Sequence, residues 1–207
     1  SIGFPQPASA QNPVQQRIDA SKPGDTVLVS AGTYQGNILI RTRVALIGSE
    51  GAVLRGDGQG SVVTITADSC VLSGFTIARS GVMLVDEDAG ILLRSHGNVI
   101  ARNRLRDILF GIYLFRSHGN DIHDNTITGN REREVGERGS GIHIYDSHHN
   151  RFTGNKISYA RDGFYIQNAN HTWIEANEVS NLRYGLHYMY ADSNTFLRNR
   201  FFDNVAG

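Results

Sequence analysis

The sequence predicts an all-β protein that folds as a right-handed parallel β-helix, a solenoid built from coils of about 22 residues. Three observations predict this fold. A glycine-led unit repeats at a nearly constant spacing, its apolar residues alternate with the period of a β-strand, and asparagine recurs at two positions of the unit. A segment with the features of a short helix precedes the repeats and completes the predicted architecture.

The repeat unit opens with a glycine in five copies, and a weaker copy opens at Ser61. The five opening residues are Gly90, Gly111, Gly141, Gly163 and Gly185. The steps between them are 21, 30, 22 and 22 residues, and a further 22 residues lead to Gly207. A unit this short cannot bury its own apolar face, so neighbouring copies must stack on one another.

Within each copy, the first and third residues after the glycine are apolar, as in Ile112 and Leu114. This period of two is typical of a strand with one buried face. Three short strands per unit, stacked about 4.8 Å apart, make a parallel β-helix. The recurring asparagines are expected at the corners, where they tolerate left-handed backbone and bond the next coil. They are Asn98, Asn120, Asn150 and Asn194 in one column and Asn103, Asn125, Asn155, Asn177 and Asn199 in the other.

The chain is predicted to contain an N-terminal tail (residues 1–12), a cap with the first coils (13–60) and the stacked repeats (61–207). The segment "PVQQRIDAS" begins with proline and predicts a short helix that covers the open end of the solenoid. The long step after Gly111 contains "REREVGER", which predicts a charged loop at residues 131–139, either a solvated insertion or a docking loop. Because nothing in the sequence caps the far end, we expect the repeats to continue beyond residue 207.

The composition excludes several classes of function. Twenty Lys and Arg balance twenty Asp and Glu, so the chain has no overall charge with which to bind nucleic acid or an anionic membrane. No apolar run approaches the roughly 18 residues that span a bilayer. The one cysteine, Cys70, is expected to be a buried structural thiol. Small residues at positions 8–10 fit the pattern of a signal-cleavage site, a weak indication of export.

Even-numbered positions after each glycine are expected to face outward and to form two columns on one sheet. The columns are Tyr113, His143, Tyr165 and His187, and beside them Phe115, Tyr145, Gln167 and Met189. Leu186 and Tyr188 then face the core, whereas His187 and Met189 face solvent roughly 7 Å apart. Such a surface could bind sugar rings, a soft metal ion such as Cu(I), or a protein partner. Alternatively, the stacked side chains bind nothing and only stabilise neighbouring coils.

Histidines also recur at the corners: His96, His118 and His148 at one position, and His149 and His171 at the next. Stacked imidazoles could hold a metal ion or respond to pH. No carboxylate or cysteine completes an obvious ligand set, so a structural role in the turn is the favoured interpretation.

The strings "RDGFY" (residues 161–165) and "RYGLHYMY" (residues 183–190) resemble the NosD family, periplasmic accessory proteins for the maturation of nitrous-oxide reductase. The resemblance extends from "PGDTVLVSAGTY" to the last residue, nearly the whole chain. The cap and the Gly/Asn repeats are less specific, because carbohydrate-binding and sugar-hydrolase β-helices of the pectin-lyase-like class share them. Members of the family are longer than this chain.

The resemblance implies a periplasmic protein that is not an enzyme and that handles copper as Cu(I). Its implied partners are an ABC-transporter ATPase and permease, a copper chaperone lipoprotein and nitrous-oxide reductase, with membrane association only through the permease. Combined with the outward columns, it predicts metal contacts from His187, Met189 and His143. The predicted partner-binding residues are Tyr113, Phe115, Tyr145, Tyr165, Tyr190, Arg161 and Arg183.

Two other functions stay open at this point. A uronan epimerase or lyase would use Tyr165 and His187 as acid and base, with Arg161, Asp162 or Arg183 neutralising a uronate carboxylate. Such enzymes carry Asp-x-His-Asp-type or Ca²⁺-binding acidic clusters, which "DIHDN" (residues 121–125) resembles only superficially. The third alternative is a structural cap or adhesin module that binds no ligand.

Overall fold

The structure is a computed structural model that describes residues 12–206 of the 207-residue chain. The predicted tail apart from Asn12, the small residues at positions 8–10 and Gly207 lie outside the described residues. The division of the chain into tail, cap and repeats therefore stays a prediction.

The described residues form one α-helix, one turn of 3₁₀-helix and a series of short strands. The helix α1 spans Pro13–Asp19 and the 3₁₀ turn spans Val135–Glu137. The strands, in chain order, are β1 (Thr26–Val29), β2 (Gly32–Gln35), β3 (Ile38–Ile40), β4 (Ala45–Gly48), β5 (Ala52–Arg55), β6 (Val63–Ile65), β7 (Val71–Ser73), β8 (Thr76–Ala78), β9 (Ala89–Leu93), β10 (Val99–Ala101), β11 (Arg104–Arg106), β12 (Phe110–Phe115), β13 (Asp121–His123), β14 (Thr126–Thr128), β15 (Ile142–Tyr145), β16 (Arg151–Thr153), β17 (Lys156–Ser158), β18 (Asp162–Gln167), β19 (Trp173–Glu175), β20 (Glu178–Ser180), β21 (Tyr184–Met189), β22 (Thr195–Leu197) and β23 (Arg200–Phe202).

These strands form three parallel sheets, because each coil adds one strand to each sheet. The first sheet has the order β1-β4-β7-β10-β13-β16-β19-β22 and the second β2-β5-β8-β11-β14-β17-β20-β23. The third sheet contains β3, β6, β9, β12, β15, β18 and β21 in spatial order. Strands three apart in sequence are thus neighbours in space, and about eight coils stack as a parallel β-helix. The predicted fold class is confirmed.

Helix α1 covers the first coil. The Asn12 side chain accepts a hydrogen bond from the Val14 amide (2.9 Å), and Val14 and Ile18 are buried in the core. The Gln15 side chain pairs with the edge strand β3, accepting from the Leu39 amide (2.7 Å) and donating to the Leu39 carbonyl (2.9 Å). The helix therefore satisfies part of a strand edge that would otherwise be open.

The interior of the solenoid is filled by the alternate apolar residues of all three sheets. Ile112 and Leu114 are fully buried, as the period-two pattern predicts. The opening glycines are needed because neighbouring coils approach closely there. A Cβ on Gly111 would lie 2.2 Å from the carbonyl oxygen of Gly141 in the next coil and 2.6 Å from the Ile127 side chain.

Buried asparagine ladders join the corners of successive coils. The amide N–H of Asn103 donates to Oδ1 of Asn125 (3.0 Å), and the amide of Asn125 donates in turn to Oδ1 of Asn155 (3.1 Å). The prediction that the asparagines themselves adopt left-handed backbone is wrong. The left-handed residue comes directly before them, as in Arg102 (φ 55°) and Asp124 (φ 56°). The asparagine that follows the turn directs its amide into the stack.

The corner histidines form a similar ladder. Stacked rings join His96 to His118 (centroids 4.9 Å apart) and His118 to His148 (5.2 Å). Nδ1 of His96 accepts from the His118 amide (3.1 Å), and Nδ1 of His118 accepts from the His148 amide (2.9 Å). Because Nδ1 accepts, the neutral ring carries its proton on Nε2, the atom that a metal ion would need. The geometry favours the structural interpretation of this column.

Cys70 is buried and continues the asparagine column, since its amide donates to Oδ1 of Asn98 (3.0 Å). Burial raises the pKa of the Cys70 thiol above its ordinary value. A buried thiol with a raised pKa is poorly nucleophilic, which fits the structural role expected from the sequence.

Two loops leave the solenoid where a strand of the second sheet passes to the third. The charged loop lies between β14 and β15, and its residues 131–137 are mostly exposed. The other loop, residues 79–88, lies between β8 and β9 and was not expected. The sequence carried a signal for it, because the step from Ser61 to Gly90 is 29 residues instead of 22.

Candidate functional site

The outward columns of the third sheet lie in register across successive coils. Strand pairing places Tyr113, His143, Tyr165 and His187 side by side. Ring centroids are 4.5 Å apart from Tyr113 to His143, 4.4 Å from His143 to Tyr165 and 4.6 Å from Tyr165 to His187. The side chains therefore form one continuous aromatic column, in which Tyr165 separates the two histidines.

Tyr113 lies at the covered end of this column. Its side chain is 1% exposed, packs with Leu109 and Phe110, and donates a hydrogen bond to Glu87 of the unexpected loop (2.7 Å). Burial and the neighbouring Glu87 carboxylate raise the pKa of the Tyr113 phenol. The prediction that Tyr113 faces solvent is wrong, because the loop of residues 79–88 covers it.

The second column begins with an aromatic pair. Phe115 and Tyr145 are half-buried and stack with centroids 5.6 Å apart, and the guanidinium of Arg94 lies 4.8 Å from the centre of the Phe115 ring. Tyr190 is 82% exposed at the next corner, where its backbone is left-handed (φ 48°). Of these residues, Tyr190 offers the most open surface for a partner.

A buried carboxylate lies beside the aromatic column. Asp162 is fully buried, and Arg183 donates to it through Nε (3.0 Å) and Nη2 (2.8 Å). Nε of Arg161 lies 3.4 Å and Nδ1 of His187 lies 3.5 Å from Oδ2 of Asp162. Hydrogen bonding to Asp162 raises the pKa of Arg183. Three of the predicted site residues thus converge on one carboxylate.

Several buried polar atoms near Asp162 have no hydrogen-bond partner among the described residues. They are Nδ1 of His143, Nδ1 of His187, Nε of Arg161 and Oγ of Ser140. Ser140 lies on the neighbouring coil, where the Gly141 amide donates to the Asp162 carbonyl (2.8 Å). Because buried polar groups are almost always paired in proteins, such a concentration of unused capacity marks a candidate functional site.

His187 and Met189 occupy alternate positions of β21 and face the same side. The His187 side chain is 30% exposed although its Nδ1 atom is buried toward Asp162, so Nε2 is the nitrogen left for another ligand. The Met189 sulfur lies 3.6 Å from the Tyr165 hydroxyl. Imidazole nitrogen and thioether sulfur are suitable ligands for Cu(I).

His143 lies two coils from His187, with the Tyr165 ring between them. Burial, and then the nearby Arg161 charge, lower the pKa of His143 to about 3, so the ring is neutral at physiological pH. Across residues 12–206, no three His, Cys, Asp or Glu side chains come close enough to enclose a metal ion. The structure therefore brings His187 and Met189 to one face but sets His143 apart from them.

Acidification is expected to destabilise the protein through His143. Its pKa falls from 6.5 to about 3 on folding, so below pH 6.5 the unfolded chain binds a proton that the folded protein does not. The loss is about 1.4 kcal/mol per pH unit, or about 2 kcal/mol by pH 5. The measurement is urea unfolding at pH 7 and pH 5 for wild type and His143→Phe. If the variant loses as much stability as wild type over this interval, His143 is not the group responsible.

A family model described as "Periplasmic copper-binding protein (NosD)" matches residues 27–135 and 127–207. These two matches together span most of the chain. The chain belongs to the NosD family. The resemblance seen in the sequence is thereby confirmed.

Two curated NosD relatives are each named "Probable ABC transporter binding protein NosD". The one from Pseudomonas aeruginosa is 36% identical over 136 residues, which is 65% of this chain and 32% of that protein. The one from Stutzerimonas stutzeri is 32% identical over 134 residues, or 64% of this chain and 31% of that protein. The aligned region thus covers about a third of the length of these NosD relatives.

Solved structures similar to this NosD chain include carbohydrate-active β-helices. Pectate lyase Pel9A has a TM-score of 0.69 at 17% identity, covering 81% of this chain and 48% of its own. An alginate lyase from Paenibacillus sp. has a TM-score of 0.62 at 19% identity, covering 89% and 73%. At such low identity these likenesses show the fold alone.

None of the helices within residues 12–206 is long and apolar enough to cross a membrane.

Proposed function

We propose that this protein is a periplasmic accessory factor for the maturation of nitrous-oxide reductase, which handles Cu(I) as cargo and works with an ABC transporter. Its partners in this proposal are the transporter ATPase and permease, a copper chaperone lipoprotein and the reductase itself. The description of the NosD family as periplasmic and copper-binding supports the location and the cargo. The names of the two relatives support the association with a transporter.

The observation that carries the proposal is the partly exposed pair His187 and Met189 beside the buried carboxylate of Asp162. The Asp162 carboxylate, 3.5 Å from Nδ1 of His187, favours a proton on Nδ1 through its negative charge, which leaves the Nε2 lone pair free to bind a metal. The guanidinium of Arg183 donates to both oxygens of Asp162 as a bidentate pair, so the carboxylate has a defined orientation. The cluster thus presents one oriented nitrogen and one sulfur at the surface.

A site with two soft ligands suits a cargo that is received and passed on. His187 and Met189 can hold Cu(I) weakly, and a third ligand from a partner protein would complete the coordination. Tyr165 packs against His187 and its hydroxyl lies 3.6 Å from the Met189 sulfur, so it positions both ligands. His143 has a separate role in this proposal, as a neutral ring that supports Tyr165 from the neighbouring coil.

Replacing both His187 and Met189 with alanine is expected to weaken Cu(I) binding at least about 100-fold, because both proposed ligands are lost. The measurement is competition with a chromophoric Cu(I) chelator at pH 7. A matched control replaces His149 and Met83, an exposed histidine and an exposed methionine elsewhere, and should retain wild-type affinity. Unchanged affinity in the folded His187/Met189 variant would contradict copper binding at this pair.

Docking of partners is tested separately on the same surface. Tyr190→Ala and Arg161→Ala should each weaken binding of the copper chaperone or the reductase, measured with the purified proteins. The control is Tyr34→Ala in β2, on a different sheet. Wild-type affinity for both partners in both variants would contradict docking at this face.

A uronan lyase or epimerase is the second candidate. Its supporting observation is the contact of Tyr165 and His187 (4.6 Å between centroids) beside Arg161 and Arg183, on a fold shared with lyases. However, both Arg183 donors that face the site are bound to Asp162, which leaves this guanidinium less able to neutralise a uronate. Incubation of the protein with alginate and pectate distinguishes the two functions when unsaturated lyase products are followed at 235 nm and epimerised uronate by proton NMR.

A further inference from the structure

The loop of residues 79–88 carries a run of apolar side chains at the surface. Val82, Met83, Leu84 and Val85 are 50%, 52%, 39% and 81% exposed. These residues form what is here termed the apolar ridge (residues 82–85). Continuous apolar exposure of this kind is uncommon on a soluble surface and usually marks a site of interaction.

The apolar ridge is held in a fixed shape despite its exposure. The Met83 amide donates to the buried carboxylate of Asp88 (3.0 Å), and the Asp86 amide donates to the Met83 carbonyl (3.2 Å). Glu87 is anchored by the Tyr113 hydroxyl (2.7 Å). A ridge that is already ordered loses little conformational entropy when a partner covers it.

Grooves lie on both sides of the ridge. One, of about 560 Å³, is bounded by the ridge and by Glu132, Arg133 and Glu137 of the charged loop. The other, of about 540 Å³, separates the ridge from residues 58–61. A ridge between two grooves fits a partner whose own surface has a groove with raised walls.

The charges around the ridge indicate which side chains border the groove of the partner. Arg131 lies over the Tyr159 ring (3.4 Å), and Arg138 donates to the carbonyls of Arg133 and Tyr159, contacts that orient both guanidinium groups and leave them charged. Four acidic side chains make no hydrogen bond or ion pair with any other described residue: Asp86, Glu132, Glu134 and Glu137. Together the two loops (residues 79–88 and 131–138) carry six carboxylates and four arginines, so the surroundings of the ridge have a net charge of −2.

We propose that the apolar ridge inserts into an apolar groove flanked by lysine or arginine side chains on a protein partner. The net negative charge of the two loops would repel an anionic membrane, and a second copy of this chain would bring the same negative charge. The docked partner would lie close to the aromatic column, since His187 is three coil steps, or roughly 14 Å, from Tyr113. The proposal goes beyond copper handling and does not depend on it.

The test begins with a benzophenone amino acid at Val85, irradiated in cells that naturally make the protein. The cross-linked peptide is identified by mass spectrometry, and the partner is then purified. The expected product is a peptide that borders an apolar groove with basic side chains in the partner. Adducts only to lipid, adducts only to a second copy, or no adduct would each overturn the proposal.

Affinity for the purified partner is measured next, at low and high salt. Val85→Asp should weaken binding at least about 10-fold, because it places a charge in the apolar groove. Reversal of Glu132 and Glu134 to lysine should weaken binding several-fold and reduce its dependence on salt. Leu28→Asp, at a 64% exposed apolar residue on the first sheet, is the matched control and should bind like wild type. Unchanged binding by Val85→Asp, or tighter binding by the charge reversal, would overturn the proposal.

Discussion

Asp162→Asn is expected to lower the free energy of unfolding by about 3 kcal/mol and to weaken Cu(I) binding about 10–100-fold. The carboxylate is fully buried and accepts two hydrogen bonds from Arg183, with Arg161 and His187 close by. An amide of the same shape carries no charge for these cations and presents an N–H group to donors. The expected loss in the free energy of unfolding is near the lower end of the range for breaking a buried ion pair, because the Arg183 side chain is 38% exposed and can be hydrated.

The measurements for Asp162→Asn are urea unfolding and chelator competition on the same preparation. Glu178→Gln is the matched control, because Glu178 also lies between two cations, Lys156 (3.6 Å) and Arg200 (3.3 Å), but on an exposed surface. Its effect on stability should stay below about 1 kcal/mol, with copper affinity unchanged. If Asp162→Asn binds copper as tightly as wild type, Asp162 does not orient His187.

Asn125→Leu is expected to destabilise the solenoid by about 3–5 kcal/mol, because leucine has the same branched shape but no hydrogen-bonding group. Oδ1 of Asn125 accepts from the Asn103 amide (3.0 Å), and Nδ2 donates to the carbonyl of Ile100 (2.8 Å) and to Oδ1 of Asn155 (3.0 Å). The substitution leaves the Asn103 amide and the Ile100 carbonyl without this partner, whereas Oδ1 of Asn155 keeps the bond from the backbone amide of residue 125. Each buried unpaired group costs about 1–3 kcal/mol.

Two readings check the effect of Asn125→Leu: the urea midpoint, and hydrogen exchange of the Asn103 amide, which should become faster. Thr126→Val, a polar-to-apolar change at the exposed neighbouring residue, should alter stability by less than about 0.5 kcal/mol. Equal effects of the two substitutions would show that the buried ladder contributes nothing particular to stability.

The repeat fixed most of the fold in advance, since coil length and alternation determine which residues pair. Ile142 lies beside Ile112 on one side and Phe164 on the other, as counting from each glycine predicts. The burial of Tyr113 by the loop could not be predicted by counting residues from the opening glycines. It depends on Glu87, which is 26 residues away in a segment that breaks the period.

The candidate site was only partly predictable for a similar reason. Periodicity placed Tyr165, His187 and Met189 on one face, and pairing within the third sheet agrees. The central position of Asp162 depends on Arg183 reaching back from the next coil, which spacing does not encode. One feature of the sequence did set Asp162 apart, because it precedes an opening glycine and the other copies carry uncharged residues at that position. Those residues are Ala89, Phe110, Ser140 and Tyr184.

The corner that carries both loops has a consequence for how such a molecule can diversify. Ile112 and Ile142 are 30 residues apart in sequence, Ile142 and Phe164 are 22 apart, and both pairs sit at the same register. The register of the third sheet is therefore the same whether a short or a long segment connects two coils at this corner. The choice of binding partner can change when a segment at this corner is lengthened or exchanged. The surface formed by His187 and Met189, a few coils away, keeps its geometry.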